Sequence, residues 1–279
     1  MSVHIVTDSG CDLPWELVDS HSISVVPLTV RFGAEELVAG RDLSPSDFWS
    51  RCEASPTLPE TAAPSPGAFD QVFRAAAEAG ADGVVCINLS SRLSATIQAA
   101  QAAAKGVADV VPVRVVDSLS ATLGEGLIVL AAARAVAAGA SLADVVETTE
   151  AAVAKTNVVG TIDTLDFLKK GGRIGGAQAL LGSLLSVKPV IVVVDGKVEP
   201  GPKVRTRTKA LRHVADQVAN APGKVEHLAV LNGAAADLDQ FLDMLGENFP
   251  RDQIVVGDIG PVIGAHTGPG TIGVAFQVA

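Results

Sequence analysis

Short runs of β-branched residues alternate with alanine-rich stretches through the first half of the chain. His4–Thr7, Val25–Val30, Val84–Asn88 and Val113–Asp117 read as buried strands. Between them lie helical patterns with clear punctuation. Ser44-Pro45-Ser46-Asp47 is a capping box with proline at the first helical position, and Ser65-Pro66 repeats the Ser-Pro start. Gly80 and Gly139 supply helix stops. A helix is expected from Ser91 to Lys105, another over Ser120–Ala138, and Ser141 with Asp144 opens a further one. This alternation predicts an α/β fold whose first part, residues 1–155, is a parallel sheet with helices on both faces.

From residue 156 to 279 the texture changes. Pro189–Val194, Asp195-Gly196 and Lys197–Glu199 form a hairpin signal, because Asp-Gly suits a type I′ turn. Helices are expected near Thr208–Asn220 and Ala236–Glu247, and strands at His227–Leu231, Ile254–Asp258 and Thr271–Val278. A hairpin mixed with helices implies a second α/β domain with a mixed sheet.

Composition narrows the function. Of 279 residues 48% are hydrophobic, enough for a large core and too many for a disordered chain. The formal charge of −10 and the absence of tyrosine disfavour nucleic-acid binding, which uses basic fields and aromatic platforms. Cys11, Cys52 and Cys86 are odd in number and form no Cys-x-x-Cys pair, so neither a disulfide framework nor a zinc knuckle is expected. A cytoplasmic location follows from that cysteine usage and from an N-terminus without a signal pattern. The uncharged Ile259–Ala279 segment carries too many glycines and prolines for a membrane helix.

Familiar catalytic signatures are missing. There is no P-loop for ATP, no His-Glu-x-x-His, and the five histidines are scattered, so no metal or cofactor is expected. The Gly268–Gly273 string fits G-x-G-x-x-G but leads into a strand at the chain's end, the wrong context for a dinucleotide. What remains is a set of hydroxyls beside helix starts. Thr61 precedes the helix at Pro66, and Ser94 sits in the first turn of the next expected helix. With helix N–H groups, such hydroxyls suit a small anion such as a carboxylate. Ser65 and Ser91 read as simple caps. His266 lies in the glycine-rich GPVIGAHTGPG, read as a tight loop. Two basic clusters stand out in an acidic chain: Lys169, Lys170 and Arg173, then Lys203, Arg205, Arg207 and Lys209. They read either as solvated faces or as a patch for a phosphate or an acidic partner.

Five segments in order, VTDSGCDLP, SSRLSATIQ, VVDSLSATLGEGLIVL, LDFLKKGGRI and GAHTGPGTIG, resemble the signatures of the DegV family of bacterial fatty-acid-binding proteins. The resemblance covers essentially the whole chain. It implies two α/β domains with a long-chain fatty acid between them, the tail in an apolar tunnel. It further implies a non-enzymatic subunit that presents the carboxylate to a separate ATP-binding fatty acid kinase subunit, giving an acyl phosphate for phospholipid synthesis. By position, Thr61 and Ser94 match the residues that hold the carboxylate, His266 and Gly268 the neighbouring loop, and Arg173 and Arg205 surface arginines assigned to kinase docking or phosphate stabilisation. Ala62-Ala63 stands where the family commonly has Ser-Gln, and Ala95 and Ile97 where it has Gly and an aromatic, which bears on chain-length preference.

Two other readings compete. One is a serine-dependent acyl-ester hydrolase with Ser94 as nucleophile and His266 as base, although the chain has no G-x-S-x-G elbow. The other is a scaffold that uses the basic patch alone.

Overall fold

A computed structural model of the protein describes residues 2–55, 57–183 and 188–279. The first sheet is parallel, in the order β2 (Ser24–Val26), β1 (Val3–Asp8), β6 (Gly83–Asn88), β7 (Val113–Asp117). Every residue of β6 is buried, as a central parallel strand covered on both faces requires. Helices α3 (Pro66–Glu78) and α4 (Thr96–Gly106) cover one face, and α5 (Leu123–Ala137) and α6 (Leu142–Lys155) the other. The expected caps form: the Ser65 hydroxyl accepts from the amide of Ala68, and Ser141 and Asp144 close a full capping box.

The second sheet is mixed, with six strands: β10 (Lys197–Pro200), β9 (Val190–Val194), β8 (Thr156–Thr161), β13 (Thr271–Val278), β11 (Val225–Gly233) and β12 (Ile254–Asp258) in spatial order. Only β11 and β12 pair in parallel. The Asp195-Gly196 turn has both residues at positive φ, 48° and 75°, as a type I′ hairpin requires. Strand β11 shows why this sheet is apolar on both faces. Leu228 and Val230 join the core under α8 (Arg207–Ala219) and α9 (Leu238–Gly246), whereas Ala229 and Leu231 face the core built around α5. Helix α5 is apolar nearly all round because it packs against both sheets.

Four expectations change. Val25–Val30 is not one strand: at Pro27, which has no N–H to give a ladder, the chain leaves the first sheet and enters β3 (Thr29–Phe32). With β4 (Glu35–Val38) and β5 (Glu60–Ala62), β3 builds a third, antiparallel sheet in the order β4-β3-β5. Strands of three or four residues leave too little alternation to read. The helix expected from Ser91 begins only at Thr96. The amide of Ser91 is taken by the Asp117 carboxylate and that of Arg92 by the Ser90 hydroxyl, so these residues turn instead. Ser91 therefore caps nothing. The helix expected from Ser120 begins at Leu123, after Leu119 and Thr122 pass through left-handed backbone. Finally, GPVIGAHTGPG is not a loop throughout: Pro261–Thr267 is a helix, α10, with proline in its first turn and mostly buried apolar residues. The remaining helices are α1 (Trp15–Ser20), α2 (Pro45–Ala54) and α7 (Asp166–Lys170).

Candidate functional site: an apolar cavity with a polar end

The walls of one cavity come from the six-stranded sheet, β5 of the small sheet, α10 and the turns that follow β6 and β7. It encloses about 850 Å³ of atom-free space, its open end included. Most of the lining is aliphatic: Leu28, Leu89, Leu93, Ile191, Val193 and Ile263 are representative. The polar side chains gather from separate elements, and they include Thr61, Ser94, Arg173 and His266.

Each is positioned by a local cause. Thr61 lies on β5 opposite Val30, so the small sheet that the sequence did not reveal is what delivers it. Its hydroxyl lies 2.9 Å from Nε2 of His266 on the last turn of α10. Ser94 sits just before α4, not inside it as expected. The chain there is folded by Ser90, whose carbonyl accepts from the amides of Leu93 and Ser94. The fully buried Ser90 hydroxyl donates across to the carbonyl of Gly196 at the hairpin tip, 2.7 Å away. The Ser94 hydroxyl is 2.8 Å from that of Thr96 and accepts from the Thr96 amide. Arg173 donates from Nε to the carbonyl of Leu93 and from Nη1 to that of Gly171, which ties its loop to the Ser94 turn.

The electrostatics follow from this packing. His266 is held down to about 4, chiefly by burial and secondarily by the positive charge of Arg173. It is therefore neutral at pH 7. Its Nδ1 is buried without a partner, and it faces Gly171 so closely that any Cβ there would collide with the ring. A buried N–H without an acceptor is costly. The proton thus belongs on Nε2, where it is donated to Thr61, leaving the threonine hydroxyl hydrogen free to point elsewhere. Such an arrangement offers a donor to an incoming oxyanion.

A second, polar hollow adjoins the first and shares Thr61, Arg173 and His266 with it. Its other walls include Leu58, Glu60, Phe167 and Lys170. The three shared residues therefore stand where apolar lining gives way to polar lining. Gly268 lies beside this site rather than in the lining. It ends α10 at φ 76°, where a Cβ would strike the ring of Phe167. Arg205 is exposed and lines neither hollow. Of its cluster, Arg207 has a structural role, with Nε and Nη2 on the two oxygens of Asp237. The part played by Ser90 escaped the sequence reading, whereas Lys170 and Arg173 of the first basic cluster both line the polar hollow. The Ser90 clamp depends on a contact 106 residues away, which no local pattern records.

The pair needed for a hydrolase does not form: Ser94 is bonded to Thr96, His266 to Thr61, and no acid orients His266 Nδ1. Among the described residues there is no cluster of His, Cys, Asp and Glu that could hold a metal, and no helix long and apolar enough to cross a membrane. The three cysteines are free thiols.

Fold and cavity together define a three-sheet α/β protein with a mostly aliphatic cavity that Thr61, Ser94, Arg173 and His266 help to line. The chain belongs to the DegV family, whose model, described as an uncharacterised protein family, matches residues 2–279. A DegV domain-containing protein of Streptomyces coelicolor is 40% identical over 99% of this chain and 98% of its own length. One from Deinococcus radiodurans is 39% identical over 99% of each chain. Among solved structures, a fatty-acid-binding DegV family protein from Thermus thermophilus superposes with a TM-score of 0.92 at 34% identity, covering all of both chains. DegV from Bacillus subtilis, described as a fatty acid binding protein, gives 0.88 at 29% identity, also over all of both chains. A stearic-acid-binding protein from Eubacterium ventriosum gives 0.88 at 28%, covering 99% of this chain and 98% of that one.

Proposed function

We propose that this protein binds a long-chain fatty acid, with the tail in the apolar cavity and the carboxylate at Thr61, Ser94 and His266. The observation that carries this reading is the abrupt change of lining, from aliphatic to polar, at Thr61, His266 and Arg173. A tail gains roughly 0.8 kcal/mol per buried CH₂ without needing directional contacts. A carboxylate is costly to bury without donors, and Thr61, Ser94, Arg173 and His266 can supply them. Fatty-acid binding by structural relatives of 28–34% identity supports the same ligand class.

We further propose that the chain is not itself an enzyme. In this reading it is a cytoplasmic subunit of two domains, residues 1–155 and 156–279, with the ligand between them. It presents the acid to a separate ATP-dependent kinase subunit, which forms the acyl phosphate used in phospholipid synthesis. The polar hollow beside His266 leaves the carboxylate end within reach of such a partner, and Lys170 and Arg173 would offset charge developing there. Arg205, exposed on the connection into α8, is assigned to docking.

Mass spectrometry of lipid extracted from natively purified protein tests the ligand: a stoichiometric long-chain fatty acid is expected. Its absence, together with no uptake of added palmitate or oleate, removes the reading. Mixing the loaded protein with a candidate kinase and ATP, and following acyl phosphate formation, tests the presentation step separately.

A further inference from the structure

At the opposite end of α10 from His266 lies a groove that the fatty-acid reading leaves unused, and the inference from it does not depend on that reading. It holds about 1090 Å³ of atom-free space, open side included, between the Cys11–Glu16 segment, Gly40, Pro45 and the Val256–Pro261 segment. Two observations set it apart. First, it is rimmed by apolar surface that water should not see: Trp15 is 54% exposed and Val256 38%. The indole is not loose, because its edge rests on Gly40, a residue at φ 80° where a Cβ would come within 3.1 Å of the ring. One wall of the groove is thus a fixed aromatic plane.

Second, the charge in the groove has one sign. Among the described residues Asp12, Glu16 and Asp258 line it, and no Lys, Arg or His does. Asp258 accepts one bond from the side-chain amide of Asn232, and Asp12 accepts one from the amide of Gly260; neither is paired with a cation. The Asp12 carboxyl is pushed up to about 8, chiefly by burial, with repulsion from Asp8 and Asp258 adding to it, so it is mostly protonated at pH 7 and the negative charge of the groove rests on Glu16 and Asp258. Exposed indole calls for an apolar or π-stacking guest, and uncompensated carboxylates call for a positive one. A guanidinium meets both demands, since it stacks on aromatic faces and presents a fork of donors to carboxylates.

We propose that this groove docks a basic segment of a partner protein, with an arginine lying against Trp15 and facing Glu16 and Asp258, and flanking aliphatic side chains on Pro14 and Val256. The two polar regions of the molecule would then sit at opposite ends of one seven-residue helix, about 10 Å apart along its axis.

The test uses the full chain and a synthetic peptide of alternating leucine and arginine, with glutamate in place of arginine as the control. Calorimetry should give saturable binding of the arginine peptide only, weakened at least tenfold in the Glu16→Gln/Asp258→Asn double variant and in Trp15→Ala. The tryptophan emission should shift on binding in the wild type and not in Trp15→Phe, where only the buried Trp49 remains. Both sets of substitutions fall on exposed side chains, and a thermal melt checks that the variants stay folded. Equal affinity of all variants for the peptide would place binding elsewhere on an acidic surface and overturn the proposal, as would no binding at all. Concentration-dependent self-association that disappears in Trp15→Ala would assign the groove to a second copy of this chain instead, which also overturns it.

Discussion

The two ends of α10 make opposite demands on whatever meets them. At the His266 end, a neutral imidazole, hydroxyls and Arg173 surround a space with donors and a positive charge to offer. At the Pro261 end, Glu16 and Asp258 supply acceptors and negative charge beside the mostly protonated Asp12. Net charge alone would not have separated them, since −10 describes the whole surface. The lesson is that burial decides the sign that matters. It strips the charge from His266 and pushes the Asp12 carboxyl up to about 8, which leaves Arg173 lining one end and Glu16 and Asp258 the other. A carboxylate suits the first end and a cation the second.

The largest effect that would break this comparison is loss of the hydroxyls. Thr61→Ala with Ser94→Ala should weaken fatty-acid retention on the order of 10²-fold or more, because bonds to a charged group are each worth about 1.5–3 kcal/mol. Equilibrium binding of a fluorescent fatty acid measures it, and unchanged affinity would remove both residues from the head-group site. A smaller shift is expected from filling the apolar part. Val193→Phe takes room from the tail and should move the preferred acid to a shorter chain. At roughly 0.8 kcal/mol per CH₂, room lost for two methylenes costs the original ligand about 15-fold. A comparison of C12 to C18 acids checks this.

A third prediction concerns stability. Glu125 is fully buried on α5, with one oxygen accepting from Thr7 and the other unpartnered, and burial pushes its carboxyl well up. A raised folded-state pKa means stability that is complete below the unfolded value, near 4.5, and lost as pH rises toward the folded one. Glu125→Gln should therefore be more stable than the wild type at pH 8 and little different from it at pH 4. Urea melts at both pH values decide it. His266 acts in the opposite sense, losing stability as pH falls from 6.5 toward 4, but it is common to both proteins and cancels. The smallest effect is a null one. Because His266 titrates near 4, its ring resonances should not move between pH 6 and 8, and a midpoint inside that window would contradict its burial against Arg173.

The parts of this protein that were legible in its sequence are those set by neighbours in the chain. Ser65 and Ser141 cap helices because their partners are three residues away. Asp195-Gly196 turns because of its own backbone. Thr61, Ser94 and His266 could be named through the DegV resemblance, and the structure brings all three to one cavity. Their settings could not be read. Thr61 belongs to a strand of three residues paired across the chain, and Ser94 is placed by a bond from Ser90 to Gly196. His266 is helical because its apolar neighbours are buried by elements far away in sequence. Arg205, named through the same resemblance as a surface arginine, is exposed and lies outside both hollows.

The bond between Ser90 and Gly196 has a consequence for traffic. It joins the turn that carries Ser94 to the tip of the β9–β10 hairpin, and the bond from Arg173 to Leu93 makes a second tie nearby. Both ties join the first half of the chain to the second beside the cavity. Lipid exchange should then be slow in the resting protein and quickened by whatever unfastens that latch.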